Sequence, residues 1–123
     1  MSFLLRGLLL AWLVCTSLTA WAQNFPSKPI RIVMGFPAGG PLDQHARLLA
    51  DRLQAQLGQP ILIDYKAGAG GIVGAQDVMK ATPDGYTLML ANTGVMVINP
   101  ALYSKLPYQT LRDFTPIART AMQ

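Results

Sequence analysis

Few side chains in this sequence have the types and neighbours that catalysis requires. His45 is the only histidine, and a Ser-His-Asp arrangement built on it would have no residue placed to orient its ring. Outside the first 22 residues the serines are Ser27 and Ser104, and neither has the Gly-x-Ser-x-Gly setting of a hydrolase nucleophile. We therefore predict that no residue is catalytic and that the protein is not an enzyme.

Metal ligands are also scarce. The acidic residues are all aspartates, and the single cysteine, Cys15, lies in an apolar stretch near the amino terminus. Zinc sites take three or four protein ligands, mostly histidine and cysteine, and His45 alone cannot supply them. We predict no metal and no cofactor, and we interpret His45 as a partly exposed helix residue.

Backbone amides are better candidates for binding, because three glycine-bearing loops each follow a strand-like segment. The loops are Pro37-Ala38-Gly39-Gly40-Pro41, Gly68-Ala69-Gly70-Gly71 and Asn92-Thr93-Gly94. A helix start has unpaired N–H groups and a partial positive charge, which attract a carboxylate or a phosphate. The predicted ligand-binding residues are Phe36, Ala38, Gly39, Gly40, Asp43, Ala69, Gly70, Thr93 and Gly94.

Each of these positions also has a purely structural interpretation. A glycine after a strand can serve only to reverse the chain. Asp43 can cap the helix that begins at Pro41 or stabilise its dipole, or it can receive an amino or hydroxyl group of a ligand. The Thr93 hydroxyl can donate to an anion or cap its own helix. The sequence leaves these alternatives open.

Apolar and β-branched residues predict three strands, separated by turn residues. The predicted strands span residues 29–36, 60–65 and 86–91. The second strand is nearly continuous in apolar side chains, and this pattern predicts that both of its faces are covered.

Helical periodicity fills the intervals between these strands. Leucine and alanine recur on one face from Pro41 to Leu57, and Gly58 and Pro60 supply the stop signal. A second helix is predicted after Gly71, with Ile72, Ala75 and Met79 on one side. A short helix before Asn99-Pro100 and an extended segment at residues 113–118 complete the pattern.

This order of elements predicts an α/β fold, with a three-stranded parallel βαβαβ unit and right-handed crossovers. The carboxyl ends of parallel strands lie at one edge of the sheet, where open α/β sheets bind their ligands. All three glycine-bearing loops are therefore expected at that edge.

The first 22 residues have the pattern of a secretory signal. Arg6 precedes an apolar run from Gly7 to Leu18, and Ala20-Trp21-Ala22 places small residues at the positions that signal peptidase reads. The run falls short of the roughly 20 residues that a membrane span needs. We predict a cleaved signal peptide at residues 1–22, with a membrane anchor as the alternative.

The remaining residues, 23–123, are mildly basic. They contain nine basic and six acidic residues, and the bases are scattered with no stripe of lysine or arginine. We therefore predict no nucleic-acid partner. A mild positive balance suits an anionic small molecule.

Six ordered motifs resemble the Bug or TctC family, the periplasmic solute-binding receptors of tripartite tricarboxylate transporters. They cover essentially all of residues 23–123. The motifs are Phe25-Pro26-Ser27-Lys28-Pro29-Ile30-Arg31-Ile32-Val33 through Phe36-Pro37-Ala38-Gly39-Gly40-Pro41, Gly58-Gln59-Pro60, Gly68-Ala69-Gly70-Gly71, Pro83-Asp84-Gly85-Tyr86-Thr87-Leu88, Asn99-Pro100-Ala101-Leu102-Tyr103 and Asp113-Phe114.

The resemblance implies a two-lobed, type II-like Venus-flytrap protein of the periplasm. Such a protein is expected to be a monomer that closes on a small carboxylate and delivers it to the membrane subunits of a transporter. In that family, backbone groups and ordered water near the first-strand loop hold the carboxylate, and the residue matching Asp43 can face a ligand amine. Leu42 stands where the family usually has Thr or Ser, and Ile72 replaces a common Asn.

Family members are considerably longer, so the resemblance also implies a truncated chain. Residues 23–123 would form the amino-terminal part of the solute-binding domain, with lobe 1 and the start of the crossover to lobe 2. One alternative is half of a nucleotide-binding, Rossmann-like enzyme, since Gly68-Ala69-Gly70 followed by Gly74 loosely resembles a dinucleotide fingerprint. Another alternative is a truncated product with no function of its own.

Overall fold

The computed structural model describes residues 24–121. The predicted signal peptide at residues 1–22 lies outside the described residues. The strands are β1 (Ile30–Met34), β2 (Ile61–Tyr65) and β3 (Thr87–Leu90). The α-helices are α1 (Pro41–Leu57), α2 (Ile72–Met79), α3 (Asn99–Leu102) and α4 (Thr110–Asp113), with a 3₁₀ turn at Ala69–Gly71 and a π-helical turn at Gly94–Ile98.

The three strands form one parallel sheet in the order β2-β1-β3. Ile32 in the central strand lies opposite Ile63 of β2 and Leu88 of β3. The predicted parallel βαβαβ unit is therefore confirmed. The connection through α1 joins β1 to β2 on one side, and the connection through α2 passes across β1 to reach β3 on the other side.

One face of the sheet packs against α1. Ile30, Ile32 and Met34 alternate along β1, so they share a face, and they form a buried cluster with Ala46 and Ala50 of α1. The predicted bounds of this helix, Pro41–Leu57, are thus confirmed. Its end is set by Gly58, which adopts a left-handed φ of 67° and donates its N–H to Gln54 O over 3.0 Å.

The opposite face packs against α2. Arg31 points to this face and its Nη1 lies 2.8 Å from Asp64 Oδ2 on β2 and 2.7 Å from Asp77 Oδ2 on α2. Apart from these two ion pairs of Arg31, Ala75 of α2 joins Val95 and Tyr108 in a second buried cluster. Helices therefore cover both faces of β1, as a central parallel strand requires.

The expectation that both faces of the second strand are covered is wrong. β2 is an edge strand of the described sheet, and the Leu62 residue is 55% exposed. A run of apolar residues reports the tendency of a segment to be buried, but it does not say which neighbours cover it.

The segment after β3 is more helical than expected. A continuous helical path runs from Thr93 through the π turn into α3, and α4 follows at Thr110–Asp113. The predicted extended segment at 113–118 is therefore wrong at Asp113, whereas residues 114–121 have neither helix nor strand. No helix within residues 24–121 combines the length and the apolar character needed to cross a membrane.

Candidate functional site

The second glycine-bearing loop touches the backbone at Gly35, two residues before the first loop. A Cβ placed on Gly35, just after β1, would lie 2.7 Å from Gly71 Cα. A Cβ on Gly74 of α2 would lie 2.8 Å from Gly35 Cα. Such distances leave no room for a side chain, so only glycine allows these two segments to approach each other. The contact fixes the position of the second loop relative to the end of β1.

The third loop completes the edge. A Cβ on Gly71 would overlap the Val95 side chain and would lie 3.4 Å from the ring of Phe36. Asn99, at the start of α3, donates from Nδ2 to Gly70 O over 3.1 Å. At the carboxyl edge of the sheet, the second loop thus contacts both the residues that lead into the first loop and the helix that follows the third.

The second loop has an unusual backbone. Gly68, Ala69, Gly70 and Gly71 have φ values of 151°, 48°, 63° and 90°, so four successive residues have positive φ. The turn is closed by the Gly71 N–H, which donates to Gly68 O over 2.9 Å. Positive φ costs a residue with a side chain about 1–3 kcal/mol, and Ala69 is the only such residue among residues 24–121.

Most amides of the predicted site are not used within the fold. Among residues 24–121, seven of the proposed amides donate no hydrogen bond, and their residues are exposed or half-buried. An N–H group at a surface must then bind water or a ligand. These seven residues are Phe36, Ala38, Gly40, Ala69, Gly70, Thr93 and Gly94.

The Gly39 amide differs from these seven amides because it donates a hydrogen bond to Asp43. The Gly39 N–H donates to Asp43 Oδ2 over 2.8 Å, and Arg47 Nε donates to the same oxygen over 3.1 Å. The Tyr65 hydroxyl donates to Asp43 Oδ1 and itself accepts from Arg47 Nη2 over 2.8 Å. Asp43 is 4% exposed, so this network satisfies a buried carboxylate.

The network sets the ionisation of its members. Hydrogen bonds from Tyr65 and Gly39 and the nearby Arg47 hold the pKa of Asp43 below its ordinary value, against the opposing effect of burial. The same bond to Asp43 raises the pKa of the Tyr65 hydroxyl. The carboxylate therefore orders the first loop from inside the helix that follows it. Its role in binding a ligand amine or hydroxyl remains a prediction.

At the third loop, the helix is capped by Asn92. Asn92 Oδ1 accepts from the Val95 N–H over 3.1 Å, and Asn92 O accepts from the Met96 N–H over 3.2 Å. Thr93 makes no side-chain cap, so the interpretation of its hydroxyl as a helix cap is wrong. Asparagine is among the preferred N-cap residues, and this preference could have identified Asn92 from the sequence.

Sequence reasoning missed three further residues that shape this edge: Arg47, Tyr65 and Asn99. Arg47 lies four residues after Asp43 on a predicted helix, a spacing that puts the two on one face, so it was detectable. Tyr65 and Asn99 meet their partners only through the fold. His45 is partly exposed on α1 as predicted, and its Nε2 is buried without a hydrogen-bond partner in the described part of the chain.

The sequence profile of the tripartite tricarboxylate transporter family receptor, TctC, matches residues 45–123. A UPF0065 protein of Bordetella bronchiseptica is 43% identical over 117 residues, which are 94% of this chain and 35% of that protein. Protein BugT of Bordetella pertussis is 39% identical over 98 residues, covering 79% of this chain and 30% of that protein. The chain therefore spans about a third of the length of these relatives.

Solved structures give the same result. MatC from Rhodopseudomonas palustris with bound malate has a TM-score of 0.72 and 42% identity, over 75% of this chain and 31% of that one. An R. palustris protein with adipate also has a TM-score of 0.72, with 36% identity over the same shares of the two chains. The profile match extends over more than half of the sequence, and the predicted family resemblance is thus confirmed: the chain belongs to the TctC family of tripartite tricarboxylate transporter receptors.

Proposed function

We propose that this chain forms the carboxylate-binding edge of a solute receptor that delivers a small organic acid to a tripartite tricarboxylate transporter. The observation that carries the proposal is that seven amides on three loops, each following the carboxyl end of a parallel strand, donate no hydrogen bond within the described chain. Such amides bind a carboxylate through hydrogen bonds and partial positive charge, without a cationic side chain.

The backbone geometry favours an anion over a neutral ligand. N–H donors at the starts of α1 and of the helix that begins at Thr93 add the positive ends of two helices at this edge. Hydrogen bonds to an ionised acceptor are roughly twice as strong as those between neutral groups. Gly40 and Gly70 carry no side chain, so a carboxylate can approach their amides closely.

The ligands of related proteins support a dicarboxylate as the probe. The solved relatives described above hold malate in one case and adipate in the other. Both molecules carry two carboxylates at different spacings. One carboxylate would occupy the amide cluster, and the rest of the ligand would extend away from this edge.

Other parts of the proposal follow from family membership. The receptor acts in the periplasm after removal of residues 1–22, as a monomer of two lobes, and its partners are the membrane subunits of the transporter. Residues 23–123 supply part of lobe 1 and the start of the crossover to lobe 2. The remaining two thirds of a full-length receptor would provide the opposite wall of the cleft and select the ligand.

Amide-resolved NMR tests the binding site directly. The ¹⁵N-labelled chain is titrated with malate and with adipate up to millimolar concentrations, since NMR detects weak binding. We expect saturable shifts concentrated at the seven unpaired amides, with smaller changes at Gly39, whose N–H is already donated to Asp43. Succinamide serves as the neutral control and should leave these amides unchanged.

Two results would contradict the proposal. Shifts spread evenly over the surface, or equal shifts with succinamide, would show that the cluster does not select a carboxylate. Saturable shifts with NAD at the second loop, together with none from malate or adipate, would favour the Rossmann-like alternative.

A chimera tests the same edge in a complete cleft. Residues 24–121 replace the matching segment of the malate-bound relative MatC, and malate affinity is measured by calorimetry against unmodified MatC. We expect binding within about tenfold of MatC, a loss of no more than about 1.4 kcal/mol. A folded chimera that binds no malate would reject the proposed role of this segment.

A further inference from the structure

The second loop needs an external contact to keep its shape. Glycine adopts positive and negative φ about equally well, so Gly70 and Gly71 place little restriction on the peptide between them. Ala69 at a φ of 48° disfavours the observed turn. A backbone in this state persists only where its surroundings hold it.

Asn99 provides that contact. The residue is 7% exposed, and its Nδ2 donates over 3.1 Å to the carbonyl of Gly70, which belongs to the peptide between Gly70 and Gly71. Asn99 and Asp43 are the two buried polar residues of the described chain. A buried amide with a single distant partner, 29 residues away in sequence, holds one specific orientation of that peptide.

The π turn determines where Asn99 sits. The Asn99 N–H donates to Gly94 O, five residues back, instead of to Val95 O as in an α-helix. Val95 O accepts from the Tyr108 hydroxyl in its place. Pro100 has no N–H to donate to Met96 O, and that carbonyl accepts from Thr110 Oγ1 over 2.9 Å.

The change of hydrogen-bond donors at Val95 O and Met96 O accompanies a change in helix geometry. A π turn inserts an extra residue into the helix, so it rotates the residues that follow it relative to those before. The carbonyls released by the π turn and by Pro100 are held by Tyr108 and Thr110, which stabilises the altered helix. Asn99 is thereby directed toward the second loop.

We propose that Asn99 is a positioning residue, which sets the left-handed turn at Gly68–Gly71 so that the amides of Ala69 and Gly70 face the ligand edge. The inference rests on the proposed function for its effect on binding, but the turn itself can be measured without a ligand. The inference also assigns a role to the Asn99-Pro100 pair of the sequence. Pro100 favours the π turn, and the π turn directs the Asn99 side chain toward the second loop.

The test compares Asn99→Ala with Val97→Ala, a control at a residue of the same helical path that is 61% exposed. In the chain without ligand, three-bond H–N–Hα couplings and amide shifts report φ at residues 69–71. We expect N99A to shift and broaden the Gly70 and Gly71 signals and to speed hydrogen exchange at Gly71, whereas V97A leaves them unchanged. Malate affinity should fall about tenfold in N99A, the usual scale for one buried hydrogen bond.

A rescue variant separates positioning from general stability. Asparagine tolerates the left-handed region better than most residues, and a Cβ at Gly70 would lie 3.8 Å or more from its nearest neighbours. Adding Gly70→Asn to N99A should restore the turn signals of the ligand-free chain. The rescue is scored on those signals alone, because a side chain at residue 70 would itself hinder the approach of a carboxylate. A residue that acted only by filling space would not be rescued by a substitution in another loop.

Each result decides the inference. Unchanged turn signals in N99A would overturn it, as would a changed turn with unchanged malate affinity, or a double variant whose turn signals do not recover. If the unmodified chain gives no malate response, the proposed function fails, while the ligand-free signals still decide whether Asn99 sets the turn.

Discussion

The two ends of the sheet are held together in different ways. At the amino end, side chains make the contacts: the rings of Phe25 and Tyr86 lie 4.9 Å apart, and Lys28 Nζ lies 4.3 Å from the centre of the Tyr86 ring. The Ser27 N–H donates to the Tyr86 hydroxyl over 2.8 Å, and Lys28 pairs with Asp84 over 3.1 Å. Polar groups there are paired with one another.

At the carboxyl end, backbone packs on backbone. Gly35, Gly71 and Gly74 meet at distances that exclude a side chain, and the amides nearby remain unpaired within the described chain. The comparison indicates that the two ends of this small α/β unit serve different purposes, stability at one end and the proposed ligand binding at the other. The end closed by side chains has its polar groups satisfied, whereas the end built from glycine exposes donors that a ligand can use.

The largest expected effect distinguishes close packing from backbone strain at the carboxyl end. Gly71 and Gly39 have nearly the same φ, 90° and 94°, but a Cβ on Gly71 would overlap Val95, whereas a Cβ on Gly39 meets nothing within 4 Å. We expect Gly39→Ala to lower the free energy of unfolding by about 1 kcal/mol and Gly71→Ala by about 3 kcal/mol or more. Urea denaturation measures both, and equal losses would show that the tight contact does not matter.

The next effect concerns acid stability. The pKa of Asp43 is lowered in the fold, so between its folded and unfolded values the folded chain binds fewer protons. The stabilisation is present above the ordinary aspartate pKa of about 3.9 and is lost as pH falls through the lowered value. Asp43→Asn should lower the melting temperature at neutral pH and flatten its decline in acid.

Asp84 at the amino end is the matched comparison. Bonds from the Tyr86 N–H and from Lys28 lower its pKa as well, but its side chain is 36% exposed, against 5% for Asp43. Asp84→Asn should therefore flatten the acid profile less than Asp43→Asn. The reverse order would mean that Asp84 at the amino end contributes more to the pH dependence of stability than Asp43 does.

The two ends should also differ in tyrosine titration. Hydrogen bonds from Ser27 lower the pKa of Tyr86, whereas donation to Asp43 raises the pKa of Tyr65. Ultraviolet titration of the phenols should lose an early component in Tyr86→Phe and a late component in Tyr65→Phe. Identical curves for the two variants would contradict the assigned donors and acceptors.

The smallest effect is expected at Lys28. Its ion pair with Asp84 is exposed, and such pairs contribute little. Lys28→Ala should lower the melting temperature by about 1–2 °C and leave malate-induced shifts at the carboxyl end unchanged. A change in those shifts would show that the two ends are coupled through the sheet.

Local features of the fold were predictable from the sequence. The bounds of α1 follow from Pro41, from the apolar repeat and from Gly58, which are signals within one helix. The strands were also found, although each is one to three residues shorter than predicted. Strand ends depend on pairing with neighbours, so the composition of a segment alone does not define them.

Contacts between distant residues were not predictable in the same way. Asp43 and Tyr65 are 22 residues apart, and Gly70 and Asn99 are 29 apart. Aspartate and asparagine often cap helices locally. The sequence alone therefore does not distinguish a capping residue from one that bonds a distant partner. The π turn was missed because the short helix was predicted to end before Asn99-Pro100, although the missing N–H of Pro100 also frees a carbonyl for another donor.

The donors on Tyr108 and Thr110 also bear on how far the chain could be trimmed in the laboratory. The Val95 and Met96 carbonyls follow the last strand by only five and six residues, yet they accept hydrogen bonds from hydroxyls of this later segment. A version cut after Tyr103 would keep every strand of the sheet and still leave both carbonyls without their side-chain partners. The smallest autonomous piece of this protein should therefore extend at least to Thr110.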